Sequence, residues 1–359
     1  MPHVSERKAL RLLSNPPNPW HATSIDWLGD PPATRLEIFE DRSRSILSKN
    51  DSPDIPFTYS LNPYRGCSHG CAYCYARPTH QYLDFGAGTD FERKLVFKPD
   101  APRLLRAAFD RPSWRGEILI FSGNTDSYQP LEASLALTRA CLEVCLEYRN
   151  PVGVITKSTL IERDLELLAA LARDAFCQVR ISVPFFDADV ARAIEPYAPS
   201  PQRRLETIAR LAQAGVAVGV NVAPIIPGLN DGEAPSILEA ARRAGARFAS
   251  AIMLRLPGAV EPVFEERLRA LLPLRAERVL HQIEACRGGK RYDARFGQRM
   301  RGTGPRWDAI QQLIDQAIQR FGFEDAPSVP DPSPFHRPRP PAAQGELFAA
   351  PPPRGWRSP

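Results

Sequence analysis

Nowhere does the 359-residue chain run to the ~20 consecutive apolar residues of a membrane span. Its first twenty residues are polar, carry Lys and Arg, and have no apolar core, so no secretory signal is expected. An even, paired set of cysteines is missing as well. There are seven, and three crowd into one stretch, which argues against a secreted disulfide framework and for a cytoplasmic location. A surplus of charge is absent from most of the chain. Residues 1–286 hold 34 basic and 34 acidic side chains, and the formal net charge of +5 arises entirely from the 12 basic and 7 acidic residues after them.

What stands out is Cys67-Ser68-His69-Gly70-Cys71-Ala72-Tyr73-Cys74. Three thiols at C-x3-C-x2-C spacing are too close for unstrained disulfides but can surround one metal centre. Thiolate is a soft ligand, which leaves zinc or an iron–sulfur cluster. Structural zinc needs a fourth protein ligand, which here would be His69 or His80 in a Cys3His knuckle. A four-iron cluster would use the three cysteines and keep one iron open.

A strand signal at 57–61 ends just before this loop. Apolar strands then alternate with amphipathic helices. Strands are expected at 117–121, 152–156, 179–183, 216–222 and 248–254. Helices are expected at 131–148, 160–172, 187–194, 201–214, 234–244, 261–272 and 275–286. Six strands each followed by helix predict an α/β fold with a parallel sheet, a partial (β/α)6 TIM-like barrel. Sites in such barrels lie at the C-terminal strand ends, where the cysteine loop falls. The expected organisation is an N-terminal extension over 1–50, the barrel over 51–260, C-terminal helices and a basic segment over 261–325, and a disordered Pro-rich tail over 326–359.

Polar residues at the predicted strand ends are candidates for ligand contacts. They are Ser122, Asn124 and Asp126 after the second strand, Lys157 after the third, Ser182 on the fourth and Arg255 after the sixth. A lysine ending a buried strand needs water or an anion. Helix capping is the plainer role for Asn124 or Asp126, and a bond to a backbone carbonyl the plainer role for Ser182.

The cysteine spacing with Tyr73 before its last member resembles the signature loop of the radical S-adenosylmethionine (SAM) superfamily. Asn62-Pro63-Tyr64-Arg65-Gly66, Thr125-Asp126 with Tyr128-Gln129-Pro130, Thr156-Lys157-Ser158 and Pro224 through Asn230 resemble the bacterial branch grouped with spore photoproduct lyase, termed DNA repair photolyase-like. The resemblance covers about residues 40–325. It implies a [4Fe–4S] cluster on Cys67, Cys71 and Cys74, and SAM on the open iron. SAM contacts would come from Tyr73, Ser122, Asn124, Asp126, Lys157, Ser182 and Arg255, and electrons from an external flavodoxin- or ferredoxin-like donor. Reductive cleavage of SAM would then start hydrogen abstraction from a substrate, with nucleic acid or a nucleotide as the expected class. One departure is clear. The spore lyase uses a cysteine just ahead of the Thr-Asp stretch to return hydrogen, whereas here Ser122-Gly123-Asn124 holds no thiol. Cys141 and Cys145, on the next helix, read as core residues.

Residues 287–307 alternate cations, glycines and aromatics, a pattern suited to nucleic acid or to a basic lid docked on acidic loops. In the tail, Gln344-Gly345-Glu346-Leu347-Phe348 resembles the short peptides that dock on sliding clamps. Two other readings compete with SAM chemistry: an iron–sulfur protein of electron transfer, and a zinc-stabilised nucleic-acid-binding module.

Overall fold

The computed structural model of the chain describes residues 36–338. Strands β1 (Glu37–Glu40), β4 (Tyr64–Arg65) and β5 (Lys94–Phe97) form a small sheet in the order β1-β5-β4. The main sheet takes β2 (Leu47–Lys49), β3 (Tyr59–Leu61), β6 (Leu119–Phe121), β7 (Val152–Thr156), β8 (Cys177–Ser182), β9 (Ala217–Ile225) and β10 (Phe248–Met253). Its order is β10-β9-β8-β7-β6-β3-β2, with every pairing parallel except that of β2 with β3. Six parallel strands in sequence order are the expected partial barrel, with β2 as an antiparallel rim.

Register explains why the chemistry faces inward. Leu61, Phe121, Val154, Val179 and Val218 align across the strands and are all but fully buried. They meet the apolar stripes of helices α4 (Leu137–Glu147), α5 (Leu165–Asp174), α7 (Pro201–Gln213) and α8 (Ala234–Arg243) in one core. Each such side chain contributes about 1.5–3 kcal/mol by leaving water. The alternate residues Ser60, Ile120, Gly153, Gln178 and Ala217 line the opposite, inner face. Cys141, Cys145 and Cys177 belong to the outer core, as expected for the first two.

The helix expected over 131–148 is broken. Helix α3 (Glu132–Leu135) ends at Ala136, which has φ 51°, and α4 begins again at Leu137. The buried Glu132 carboxylate accepts hydrogen bonds from the backbone N–H of Thr138 (2.9 Å) and Arg139 (3.2 Å), taking up orphan donors at the start of α4. Periodicity does not register a cap supplied from within the same apolar run. The helix expected over 160–172 starts as a 3-10 turn, Thr159–Asp164, before α5.

Three helices lie outside the expected pattern: α1 (Thr89–Arg93), α2 (Ala101–Phe109) and α11 (Pro305–Arg320). Helix α6 (Ala188–Ile194) follows β8, and α9 (Val260–Leu271) with α10 (Pro273–Ala285) follows β10, as anticipated. The stretch before α11 is a strap. Met253 N–H donates to Met300 O at 3.2 Å on the β10 side, while Arg299 pairs with Asp54 at 2.6 Å between β2 and β3. The strap thus touches residues flanking both edges of the main sheet.

The first part of the Pro-rich segment expected from 326, as far as residue 338, is docked on the barrel. Ser333 Oγ donates to Gly116 O, and Phe335 packs on Phe109 and Tyr148. Arg337 donates to the carbonyls of Phe109, Arg111 and Trp114. Proline excludes helix and ladder here but not docking through single side chains. The clamp-like peptide at 344–348 lies outside the described residues.

These contacts carry an expected outcome. A chain ending at residue 332 should be less stable by about 2 kcal/mol than one ending at 338, from one half-buried aromatic and a few hydrogen bonds. In a thermal melt that is a drop of several degrees; coincident melts would show that the docked segment contributes nothing.

Candidate metal centre

The cysteine loop leaves β4 with two glycines in the left-handed region, Gly66 at φ 74° and Gly70 at φ 67°. A Cβ on Gly66 would lie 3.0 Å from the Phe91 carbonyl oxygen, so a side chain is disfavoured by crowding as well as by backbone angle. The loop is tied down on three sides. Cys67 N–H donates to Phe91 O (2.9 Å) and Ala72 N–H to Ile194 O (2.9 Å). Gln129 accepts from Ser68 N–H (3.2 Å) and donates to Gly66 O (3.0 Å).

Two buried arginines complete the clamp. Arg77, fully buried, donates to Cys71 O (2.9 and 3.0 Å), Gly70 O (3.2 Å), Ala87 O (2.9 Å) and Gly88 O (3.0 Å), and pairs with Glu92 at 2.5 Å. Arg267, from α9, donates to Gly70 O at 2.7 Å and reaches the same Glu92 at 3.3 Å. The planar guanidinium, with five donors, can hold several converging carbonyls where lysine cannot.

A second buried network lies beside Cys71. Glu195 accepts from Tyr73 OH and pairs with Arg204 at 2.5 Å, and Arg204 donates onward to Ser182 O (3.0 Å) and Pro199 O (2.8 Å). Lys157 Nζ is 3.9 Å from Glu195 and lies over the Tyr73 ring at 5.5 Å. Burial pushes the Glu195 carboxyl up, but the Arg204 and Lys157 charges outweigh it and hold it below its ordinary value. Burial likewise works against the Lys157 ammonium, while Cys71 and Glu195 raise it overall, so it stays charged. The Cys71 thiol is pushed up to about 12 by burial, with Lys157 drawing it back, and Cys67 and Cys74 are also raised by burial. Metal ligation is what would make these thiols thiolates.

Among the candidate ligand contacts, Asp126 ties strand ends together. Its carboxylate accepts from Thr156 Oγ1 (2.7 Å), Lys157 N–H (2.9 Å) and Tyr128 N–H (2.9 Å), with His69 at 3.5 Å. Ser122, at φ 69°, bonds Ser127 through its hydroxyl at 2.6 Å. Tyr73 is committed to Glu195. Asn124 reaches Thr79 Oγ1 at 3.4 Å, a weak contact. Arg255 lies over the Tyr75 ring at 5.2 Å, and its Nε is buried without a partner. Ser182 ends β8 beside Asn221 of β9. Lys157 and Arg255 are therefore the cations that face the loop with donors to spare.

The two histidines nearest the loop are committed elsewhere, which argues against a single ion with histidine as its fourth ligand. Among the described residues no three His, Cys, Asp or Glu side chains converge on a single metal position. His69 is engaged by Asp126, and His80 bonds Lys94 O at 2.8 Å. Neither completes a Cys3His knuckle. Three thiols spread around a clamped loop, with cations behind them, suit a larger, anionic centre. The pattern did not single out Arg77, Arg204, Arg267, Glu92 or Glu195. A signal existed for two of them: Arg204 shares the apolar stripe of Ile208 and Leu211, and Arg267 that of Val263, Phe264 and Leu268.

The radical SAM superfamily model matches residues 61–241. A protein of Mycobacterium tuberculosis is 40% identical over 197 residues, 55% of this chain and 58% of that protein. A protein of Methanocaldococcus jannaschii is 28% identical over 56% of this chain and 72% of its own length. The chain thus spans little more than half the length of the mycobacterial relative. Among solved structures, a spore photoproduct lyase mutant with dinucleoside spore photoproduct aligns at TM-score 0.55 and 16% identity, covering 80% of both chains. Another, with bound AdoMet, covers 83% of this chain and 86% of its own at the same TM-score. At that identity the likeness is one of fold.

Asp126 gives a test by pH. Burial alone would raise its carboxyl, but the hydrogen bonds from His69, Lys157 N–H and Thr156 bring it down to about 2. Its contribution, about 2 kcal/mol, is fully present above pH 4 and lost as pH falls through about 2. The stability gap between the native chain and Asp126→Asn in urea should therefore shrink over that window. A gap that does not change with pH would remove the ionised carboxylate from the account.

Proposed function

The chain belongs to the radical SAM superfamily, and from that premise we propose an enzyme that cleaves S-adenosylmethionine reductively and abstracts hydrogen from a substrate in the barrel lumen. The observation that carries the reading is the clamped loop of Cys67, Cys71 and Cys74 at the strand ends, with Lys157 directly behind it. Those three cysteines would hold a [4Fe–4S] cluster, which with SAM on its open iron supplies one-electron chemistry for breaking a substrate C–H bond.

The chain's own residues do the rest. Lys157, kept charged by Glu195, offers its ammonium to the SAM carboxylate, and Ser182 offers a hydroxyl one strand further on. Arg255 and Asn124 line the rim. Tyr73 and Asp126 act as positioning residues: one couples the loop to Glu195, the other fixes Lys157 by its backbone N–H. Arg77 and Arg267 hold the loop carbonyls so that the thiols keep their spacing. Electrons come from an external flavodoxin- or ferredoxin-like donor.

For the substrate we favour a nucleotide or nucleic-acid fragment. Spore photoproduct lyase, which shares the fold, is solved with a dinucleoside photoproduct. The surface that meets the substrate is the lumen rather than residues 287–307. There Arg291 pairs with Glu261, Glu265 and Glu284, Arg295 with Asp293, Arg299 with Asp54 and Arg306 with Asp231. Cations already paired release few counterions on meeting phosphate. The absence of a thiol at Ser122-Gly123-Asn124 speaks against the spore lyase's own hydrogen-return step.

Anaerobically reconstituted full-length protein should yield 5′-deoxyadenosine from SAM with dithionite, and Cys71→Ala should yield none. Lys157→Ala should keep its iron content and weaken SAM binding by about tenfold or more, the scale of one charge-assisted bond. Iron-replete protein that leaves SAM intact would overturn the reading.

A further inference from the structure

The inner face of β8 presents Gln178, Arg180 and Ser182, alternating with the buried Cys177, Val179 and Ile181. Register sets Arg180 beside Gly219 of β9, and Gly219 beside Phe248 of β10. A Cβ on Gly219 would lie 2.2 Å from two Phe248 ring carbons, so the glycine is what lets that ring lie across the strand. The Arg180 guanidinium sits over the ring at 4.7 Å. Among the described residues its one hydrogen bond is long, 3.4 Å to Ser250 Oγ, and Ser250 itself donates to Asn221 Oδ1 at 2.6 Å. One row deeper, Gln178 Oε1 is buried with no partner.

Arg180 differs in this from the clamp arginines. Arg77 and Arg267 share Glu92, and Arg204 has Glu195. Arg180 pairs with no carboxylate among the described residues, and burial alone draws its guanidinium below the ordinary value. A half-buried cation without an anion is costly, and an unmatched, buried amide oxygen one row deeper adds to the cost. Both costs disappear when a ligand supplies an oxyanion to the guanidinium fork and a donor to the amide.

We propose that Arg180, Ser250 and Gln178 form a subsite in the barrel lumen for an oxyanion of the substrate, a phosphate or a carboxylate. Arg180 gives the fork, Ser250 rotates its hydroxyl from Asn221 to the ligand, and Gln178 Oε1 accepts a ligand N–H or O–H. Phe248 and Gly219 hold the guanidinium in place before the ligand arrives. Arg180 and Gln178 stand two and four residues, about 7 and 13 Å, below the row of Ser182, Asn221 and Ser250 at the strand ends, so the subsite runs from that row down the lumen. A molecule anchored there extends toward the cysteine loop, and Lys157 is left for SAM. That this molecule is the substrate rests on the radical SAM reading; that the lumen binds an oxyanion does not.

The test titrates the reconstituted full chain with inorganic phosphate and, separately, acetate, by calorimetry at constant ionic strength. At least one anion should bind saturably in the millimolar range or tighter, and the preferred one tells phosphate from carboxylate. Arg180→Gln should weaken it at least tenfold, Arg180→Lys less, and Lys290→Ala, an exposed cation elsewhere, not at all. SAM affinity should be the same in all four proteins. The proposal is overturned if neither anion saturates, if Arg180→Gln binds as tightly as the native chain, or if SAM affinity falls with anion affinity, which would assign Arg180 to the SAM site. If the Gln variant does not fold, the Lys variant decides: unchanged anion affinity there also overturns it. A native protein that fails to cleave SAM would defeat the enzymatic reading and leave the anion result standing.

Discussion

The carbonyls of Gly70 and Cys71 point into the protein, and two guanidinium groups receive them there. Much of the structure depends on that arrangement. A buried loop carrying three cysteines would otherwise leave backbone acceptors unsatisfied, at about 1–3 kcal/mol each. Arg77 and Arg267 take them, and Glu92 between the two neutralises part of their charge. The clamp also joins distant parts of the chain. Arg77 follows the loop, Glu92 lies on α1 and Arg267 comes from α9, so the clamp ties the last βα unit to the first.

The main sheet separates stability from chemistry. One outer row is a continuous run of Leu, Phe and Val packed on helices, and the inner rows carry Ser60, Gln178, Arg180, Ser182, Asn221 and Ser250. Gly153 and Gly219 stand on the inner face where a Cβ would strike Ile120 and Phe248, so glycine sets how closely the inward side chains pack. The C-terminal basic segment supports the same interior. Arg299 and the Met300 carbonyl hold a strap toward the two sheet edges.

The order of strands and helices was legible because each apolar run had one period and clear limits. The three cysteines were legible because their spacing has few other uses. Helix α11 was hidden by its neighbours: Trp307, Ile310, Ile314 and Ala317 make a helical stripe, yet the glycines and cations before it dominate the reading. The break at Ala136 was hidden because Glu132 caps α4 from inside a helix-like pattern. Lys157 was identified as a cation at a strand end. Its partner Glu195 was not, because nothing in the sequence around 195 shows that Tyr73, 122 residues earlier, will donate to it. Strand register, which pairs Arg180 with Gly219 and Phe248, likewise exists only once the sheet is assembled.

The central claim is an open iron at Cys67, Cys71 and Cys74. Mössbauer spectroscopy of the anaerobically reconstituted, iron-57-enriched protein tests it directly. On adding SAM, the account predicts that one iron of the cluster changes its isomer shift while the others keep theirs. A spectrum in which SAM alters no iron, or a protein that takes up zinc in place of a cluster, would contradict it.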